Sequence, residues 1–173
     1  MPPVLSIVGK SESGKTTLIE KLIPELKRRG YRVGIVKHAH RGFDMDRKGK
    51  DSYRHRQAGA DSVMIASPGQ IAMIKDVQSE CLDDLIAYFD DVDLLIAEGF
   101  KSDRAPKIEI FRSQRHRHPV CLDDERLVAM VSDTPVDLAV PQFAVDDIQA
   151  ITEFIVAGFL DGLCEPTMPD CHS

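Results

Sequence analysis

The chain of 173 residues has no tryptophan and only 6% aromatic residues, so it offers no stacking platform for unpaired nucleic-acid bases. It has no apolar run near the roughly 18 residues that a membrane span needs. Its start, Met-Pro-Pro-Val-Leu-Ser-Ile-Val-Gly, lacks the basic segment and long apolar stretch of a secretory leader. The four cysteines, Cys81, Cys121, Cys164 and Cys171, form no C-x-x-C pair, which argues against a zinc ribbon or a disulfide framework. Internal repeats and low-complexity segments are also missing. Secreted, disordered and membrane-spanning readings are set aside, and a reduced, cytoplasmic, globular protein is expected. At about 150 residues per domain the length predicts one domain, over 1–163, and residues 164–173 contain prolines and no periodicity, a flexible tail.

Charge is unevenly placed. The formal net charge is −6, yet residues 1–60 hold 14 Lys and Arg against 6 Asp and Glu, and residues 61–173 hold 8 against 22. A basic half within an acidic protein suits a small anionic ligand better than a nucleic-acid polymer.

Val4–Val8 is a short apolar and β-branched run ending at Gly9, a buried strand. Apolar residues at 18, 19, 22, 23 and 26 then give a helix over Thr16–Arg29, with Pro24 inside it and Gly30 as its stop. Arg32–Val36 is a second strand, completing a β-α-β unit whose strands should be parallel. A polar loop over 37–52 follows, then a short helix within Asp51–Ala60. Ser62–Ala66 and Gln70–Ile74 flank Ser67-Pro68-Gly69 and predict an antiparallel hairpin. Ser79 can cap a helix carrying Leu82, Leu85, Ile86 and Phe89. Val92–Ala97, Lys107–Phe111 and Leu127–Val131 are further strands, and a last helix spans Asp146 to about Leu163. The expected class is α/β: a mostly parallel P-loop NTPase-like sheet with helices on both faces and one antiparallel hairpin.

Gly9-Lys10-Ser11-Glu12-Ser13-Gly14-Lys15-Thr16 is a complete G-x-x-x-x-G-K-[ST] placed between a strand and a helix. The glycines let the backbone curl so that successive N–H groups face phosphate oxygens. The helix start adds its dipole, Lys15 a point charge near the β- and γ-phosphates, and the Thr16 hydroxyl a ligand for Mg²⁺. Nucleoside triphosphate binding follows, with Gly9, Ser11, Glu12, Ser13, Gly14, Lys15, Thr16 and Thr17 as the contact set. The metal also needs a carboxylate from a neighbouring strand. Asp93 and Glu98 lie some 16 Å apart in an extended strand, so only one can serve. Glu98 sits at the carboxyl end, where ligands of parallel sheets gather, and is the better candidate. The loop after the second strand leaves from that same edge. Within it Asp44 and Asp46 are candidates to ligate Mg²⁺ or orient an attacking water, and a histidine such as His38 or His40 to bind a second anion.

These residues resemble those of the molybdopterin-guanine dinucleotide biosynthesis adaptor (MobB) family. The likeness rests on Gly9–Thr16 followed by Thr17-Leu18, and on Val36-Lys-His-Ala-His40 leading into Gly42-Phe-Asp44-Met-Asp46. It continues through Gly49-Lys-Asp-Ser-Tyr-Arg-His55, Ala58-Gly-Ala60, Glu98-Gly-Phe-Lys101 and Pro106-Lys-Ile-Glu109. The resemblance implies a GTP-binding homodimer with at most slow GTPase activity. It would be accessory to the guanylyltransferase that joins GMP to molybdopterin, with that enzyme and molybdopterin as partners. Catalytic roles carry over to Lys15, Asp46 and Glu98, and Mg²⁺ ligation to Thr16, Glu98 and Asp46. Lys37, His38, Lys50, Asp51 and Arg54 match the second stretch without assigned roles. Lys10 is read as a variable position. Val131-Ser-Asp133-Thr-Pro is the candidate base-binding loop, with Asp133 reading guanine.

Two other enzyme classes share the loop. A small-molecule kinase would use the 40–56 region as an Arg-rich lid with a catalytic Asp. A nickel-type metal-insertion GTPase would need a Cys-x-His pair, which does not occur. Arg112-Ser-Gln-Arg-His-Arg-His118 is either a dock for a phosphorylated pterin or acidic partner, or a solvated loop. Cys164, Cys171 and His172 are a weak metal candidate in the tail.

Overall fold

A computed structural model describes residues 1–39, 42–43 and 46–161. The chain divides into two compact units, one made of residues 1–38 with the chain from Leu82 onward, the other of Ala39–Cys81.

In the first unit β1 (Val4–Val8), β2 (Val33–Lys37) and three later strands form a sheet. Because the second unit contributes two strands before them, these are β5 (Leu94–Glu98), β6 (Lys107–Phe111) and β7 (Leu127–Ser132). A sixth, β8 (Gln142–Ala144), has only three residues and no readable period. The order is β2-β5-β1-β6-β7-β8, and every pairing is parallel. β1 therefore lies inside the sheet, between β5 and β6, which places its carboxyl end in the crevice where such sheets bind ligands.

Alternation sorts the side chains onto two faces, as a sheet covered on both sides requires. Leu5, Ile7, Leu94, Ile96, Ile108 and Ile110 meet the apolar stripe of α1 (Lys15–Arg28) and α4 (Ile148–Ile155). On the other face Leu95 and Ala97 pack with Leu82 at the start of α3 (Leu82–Ile86), and Val8, Phe111 and Met130 form a separate cluster. Pro24 is accommodated within α1, whose Leu18, Ile19, Leu22 and Leu26 are buried. At its end Glu25 accepts from Arg28 and Arg29, which hold its carboxyl at about 2. Arg32 and Asp93 form a bidentate pair joining the amino ends of β2 and β5, so Asp93 stands at the far end from the loop.

The last helix starts two residues later than the expected Asp146. Asp147 caps it through the Ala150 N–H, so α4 begins at Ile148. After Ile155 the backbone widens into a π-helical turn, Val156–Leu160.

In the second unit α2 (Asp51–Gln57) precedes the antiparallel hairpin of β3 (Ser62–Ser67) and β4 (Gln70–Lys75), in the register Met64↔Met73. His40, Asp44, Cys164, Cys171 and His172 lie outside the described residues.

Candidate functional site

The loop from Gly9 to Gly14 curls because its backbone enters regions that ordinary residues avoid. Gly9 has φ +145, Gly14 φ +99, and Glu12, a non-glycine, also has a positive φ, at 60°. A Cβ on Gly9 would stand 2.5 Å from the Ile110 carbonyl oxygen and 2.7 Å from Ser13 Oγ. Gly9→Ala is therefore expected to destabilise the protein by about 1–3 kcal/mol through overpacking at a strained position, as read from urea unfolding. A midpoint equal to that of the parent would contradict this account of the loop.

α1 opens at Lys15 without a side-chain cap, and Gly14 in the left-handed conformation precedes it. Its first N–H groups thus face the loop without side-chain partners, the arrangement that suits an anion. Lys15 Nζ donates to the carbonyls of Gly9 (3.2 Å) and Lys10 (2.8 Å), so the ammonium lies folded over the loop. Burial, with Lys101 and Lys37 nearby, pushes its pKa down, while Glu98 opposes them. Ser13 is buried with its Oγ unpartnered among the described residues, and Thr17 is exposed in the first turn of α1.

Across the carboxyl edge, Thr16 Oγ1 donates to Glu98 Oε1 at 2.9 Å. Glu98 is only 7% exposed and also accepts from Lys37 Nζ at 3.0 Å. These contacts follow from register: Lys37 is directly paired with Glu98 at the ends of β2 and β5, and Ile7 of β1 pairs with Glu98 on its other side. A hydroxyl and a carboxylate in contact are hard oxygen donors of the kind Mg²⁺ takes. The ring of His38 packs against Phe100 with centroids 5.1 Å apart.

Asp46 belongs to the second unit. Its Oδ1 accepts from the Ser52 hydroxyl and the Arg47 N–H, while its buried Oδ2 has no partner among the described residues. In the same unit Asp51 and Arg54 form an exposed pair at 3.7 Å, and Lys50 precedes α2. Asp133 directly follows β7. Its Oδ1 accepts from the Ser113 N–H at 2.8 Å, a bond that keeps its carboxyl below the ordinary value and ties the loop after β7 to the loop after β6.

The basic 112–118 loop is in contact with the phosphate loop rather than simply solvated. His116 Nε2–H donates to the Ser11 carbonyl at 2.9 Å, and Arg115 pairs with Glu12 at 3.2 Å. An Arg112 nitrogen lies 3.9 Å from the point where a Cβ of Gly14 would be. These contacts depend on β6 lying beside β1, which no local pattern announces. Lys107 and Glu109, buried in β6, were also missed as a pair of roles. Lys107 is ion-paired with Asp124, and Glu109 accepts the N–H groups of Val120 and Cys121. The one available signal was charge alternating with isoleucine in Lys107-Ile-Glu109-Ile. Among the described residues, no group of three or more His, Cys, Asp or Glu could hold a metal ion by itself.

The family described as molybdopterin guanine dinucleotide synthesis protein B matches residues 4–133. A molybdopterin-guanine dinucleotide biosynthesis adapter protein of Escherichia coli is 38% identical over 162 residues, covering 90% of this chain and 93% of that one. Its counterpart in Haemophilus influenzae is 38% identical over 156 residues, covering 88% and 87%. Among solved structures, a molybdopterin-guanine biosynthesis protein B is 35% identical and superposes with a TM-score of 0.69 over 89% of this chain and 98% of that one. Bacillus subtilis MobB, 25% identical, gives 0.74 over 91% and 98%.

Proposed function

This chain belongs to the MobB family, and from that premise we propose that it binds GTP with Mg²⁺ and that the nucleotide state governs its docking onto the guanylyltransferase that joins GMP to molybdopterin. The family acts in molybdenum cofactor biosynthesis, has a nucleotide-binding P-loop fold and interacts with enzymes of that route.

The observation that carries the proposal is the 2.9 Å contact between Thr16 and Glu98 at the mouth of the Gly9–Gly14 loop. It joins the two oxygen donors that a Mg²⁺–triphosphate needs to the backbone that holds the phosphates. Thr16 and Glu98 would ligate the metal, with Glu98 exchanging its bond from Lys37. By the family resemblance, Asp46 would also contribute to Mg²⁺ or its waters. Gly9, Ser11, Glu12, Ser13, Gly14, Lys15 and Thr17 would line the phosphates, and Asp133 would read the guanine base. Hydrolysis would be slow, since a partner has to orient the water or supply a further cation.

Calorimetric titration with Mg²⁺ tests the reading. GTP should bind more tightly than ATP. Preference for ATP, with ADP released on adding a pterin or nucleoside acceptor, would replace this function with that of a small-molecule kinase.

The homodimer enters on a separate observation. In the hairpin Met64, Ile65 and Ile71 are exposed, Ile71 at 68%. A two-stranded hairpin is marginal in water by itself, and apolar surface of this kind marks an interface. A second copy of the chain would cover it. Ile71→Asp should shift sedimentation from dimer to monomer, and an unchanged dimer would remove the hairpin from the interface. Among the described residues no helix is long and apolar enough to cross a membrane. A cytoplasmic location without a nucleic-acid partner completes the proposal.

A further inference from the structure

The loops that follow β6 and β7 line an open hollow of about 430 Å³, within the size range of small-ligand pockets. It lies at the carboxyl edge of the sheet but not on the α1 face. Ile108 and Ile110 point into the core beneath α1, whereas Phe111, which lines the cavity, belongs to the cluster on the opposite face. A nucleotide whose phosphates sit at the start of α1 would have to turn around the sheet edge to reach it.

Its walls are held by side chains whose other contacts are inside the fold. Glu109, 1% exposed, accepts the N–H groups of Val120 and Cys121 at 2.7 and 2.8 Å. Asp133 holds Ser113, and Ser132 Oγ donates to the Thr134 carbonyl at 2.6 Å. The Gln142 side chain clamps Val136 from both sides, accepting its N–H at 2.9 Å and donating to its carbonyl at 2.6 Å. Walls fixed in this way form a preorganised pocket rather than a gap between mobile loops.

The lining divides by chemistry. Phe111, Pro119, Pro135 and Val136 supply flat or compact apolar surface, the walls that a planar heterocycle prefers. Arg117 and His118 line the same cavity, and Asp137 supplies one carboxylate. These three side chains make no hydrogen bond or ion pair with the described residues. A carboxylate accepts two parallel N–H donors at once, and a 2-amino-4-oxo-pyrimidine ring offers that pair along one edge. Both pterin and guanine carry this edge.

We propose that this cavity binds a phosphorylated pterin, with Asp137 reading the 2-amino-4-oxo edge, Arg117 and His118 taking the phosphate, and the ring lying against Phe111 and the prolines. Pterin is favoured over guanine because Phe111 and Val136, which line the cavity, belong to the cluster on the face opposite α1. The chemical class rests on the family reading above, while the pocket stands on the geometry. The chain would then hold a nucleotide and a pterin at one sheet edge, on opposite faces.

The test uses the intrinsic fluorescence of a 6-substituted pterin monophosphate titrated into the full chain. Saturable one-to-one binding is expected, retained in Lys15→Ala and not displaced by saturating GTP. Asp137→Asn and Arg117→Ala should each weaken it at least tenfold. No binding to the parent protein, or equal binding in both pocket variants, would overturn the proposal. So would displacement by GTP, which would assign the pocket to guanine if GTP affinity also fell in Asp137→Asn. Calorimetry with GTP on the same proteins separates the two readings. Pterin binding without GTP binding would remove the nucleotide function and keep this pocket, and the reverse result would do the opposite.

Discussion

Lys15→Ala is expected to weaken Mg²⁺–GTP binding by about 10- to 100-fold while leaving the melting temperature of the free protein nearly unchanged. The loss corresponds to the roughly 1.5–3 kcal/mol of a hydrogen bond to a charged group, at 1.4 kcal/mol per tenfold. The unchanged stability follows from the neighbours. Among the described residues Lys15 bonds only two loop carbonyls, and Lys37 and Lys101 work against its charge. Removing it relieves that repulsion and costs two partly exposed bonds. Lys15→Arg should not restore binding, because a planar fork on a longer stem does not replace a point charge inside a loop fitted to it. Calorimetry paired with a thermal melt checks both halves. A variant that binds GTP as the parent does would take the phosphate site away from this loop.

Asp124→Ala should cost about 3 kcal/mol and lower the melting temperature by about 6–12 °C. The reason is the partner it leaves behind. Lys107 is fully buried in β6, and among the described residues its ammonium reaches only Asp124 Oδ2 at 2.8 Å and the Asp103 carbonyl at 2.6 Å. A buried cation without its anion is far more costly than an apolar side chain of similar size. Lys107→Met in the same background should therefore recover much of the loss. A single variant that melts within about 2 °C of the parent would show that the carbonyl alone satisfies Lys107. The pair also fixes a pH response. Burial pushes the Asp124 carboxyl up, but the Lys107 bond and the Arg126 N–H outweigh it, and the net shift is downward. With the folded value below the unfolded one, this stabilisation is present above the unfolded value and is lost as pH falls through the folded one.

Much of the first unit was legible because its rules are local. A β-branched run ending in glycine marks β1, the 3.6-residue period marks α1, and Pro68-Gly69 marks the hairpin. The choice of Glu98 over Asp93 needed one rule of sheets, and the structure puts Asp93 in the Arg32 pair at the opposite end. Contacts set by register were not legible. Lys37 meets Glu98 because β2 and β5 pair residue for residue, and His116 meets Ser11 because β6 comes to lie beside β1. β8 escaped notice because three residues following Pro141 carry no period, and its Gln142 acts through the Val136 clamp rather than through burial. The bond from the Ser113 N–H to Asp133 is visible only once two loops are side by side.

The strand order also sets a timetable for the nascent chain. Val4 of β1 pairs with Leu95 and Ser6 with Lys107, so the phosphate loop is synthesised long before either of its flanking strands exists. At about 5–20 residues per second, β1 waits several seconds on the ribosome with both edges unpaired. Pairing across such a separation is slow even after release, since loop closure must precede the contacts that reward it. The interval before residue 111 emerges is thus when the chain most needs a holdase, and a fragment ending before β5 should aggregate rather than bind nucleotide.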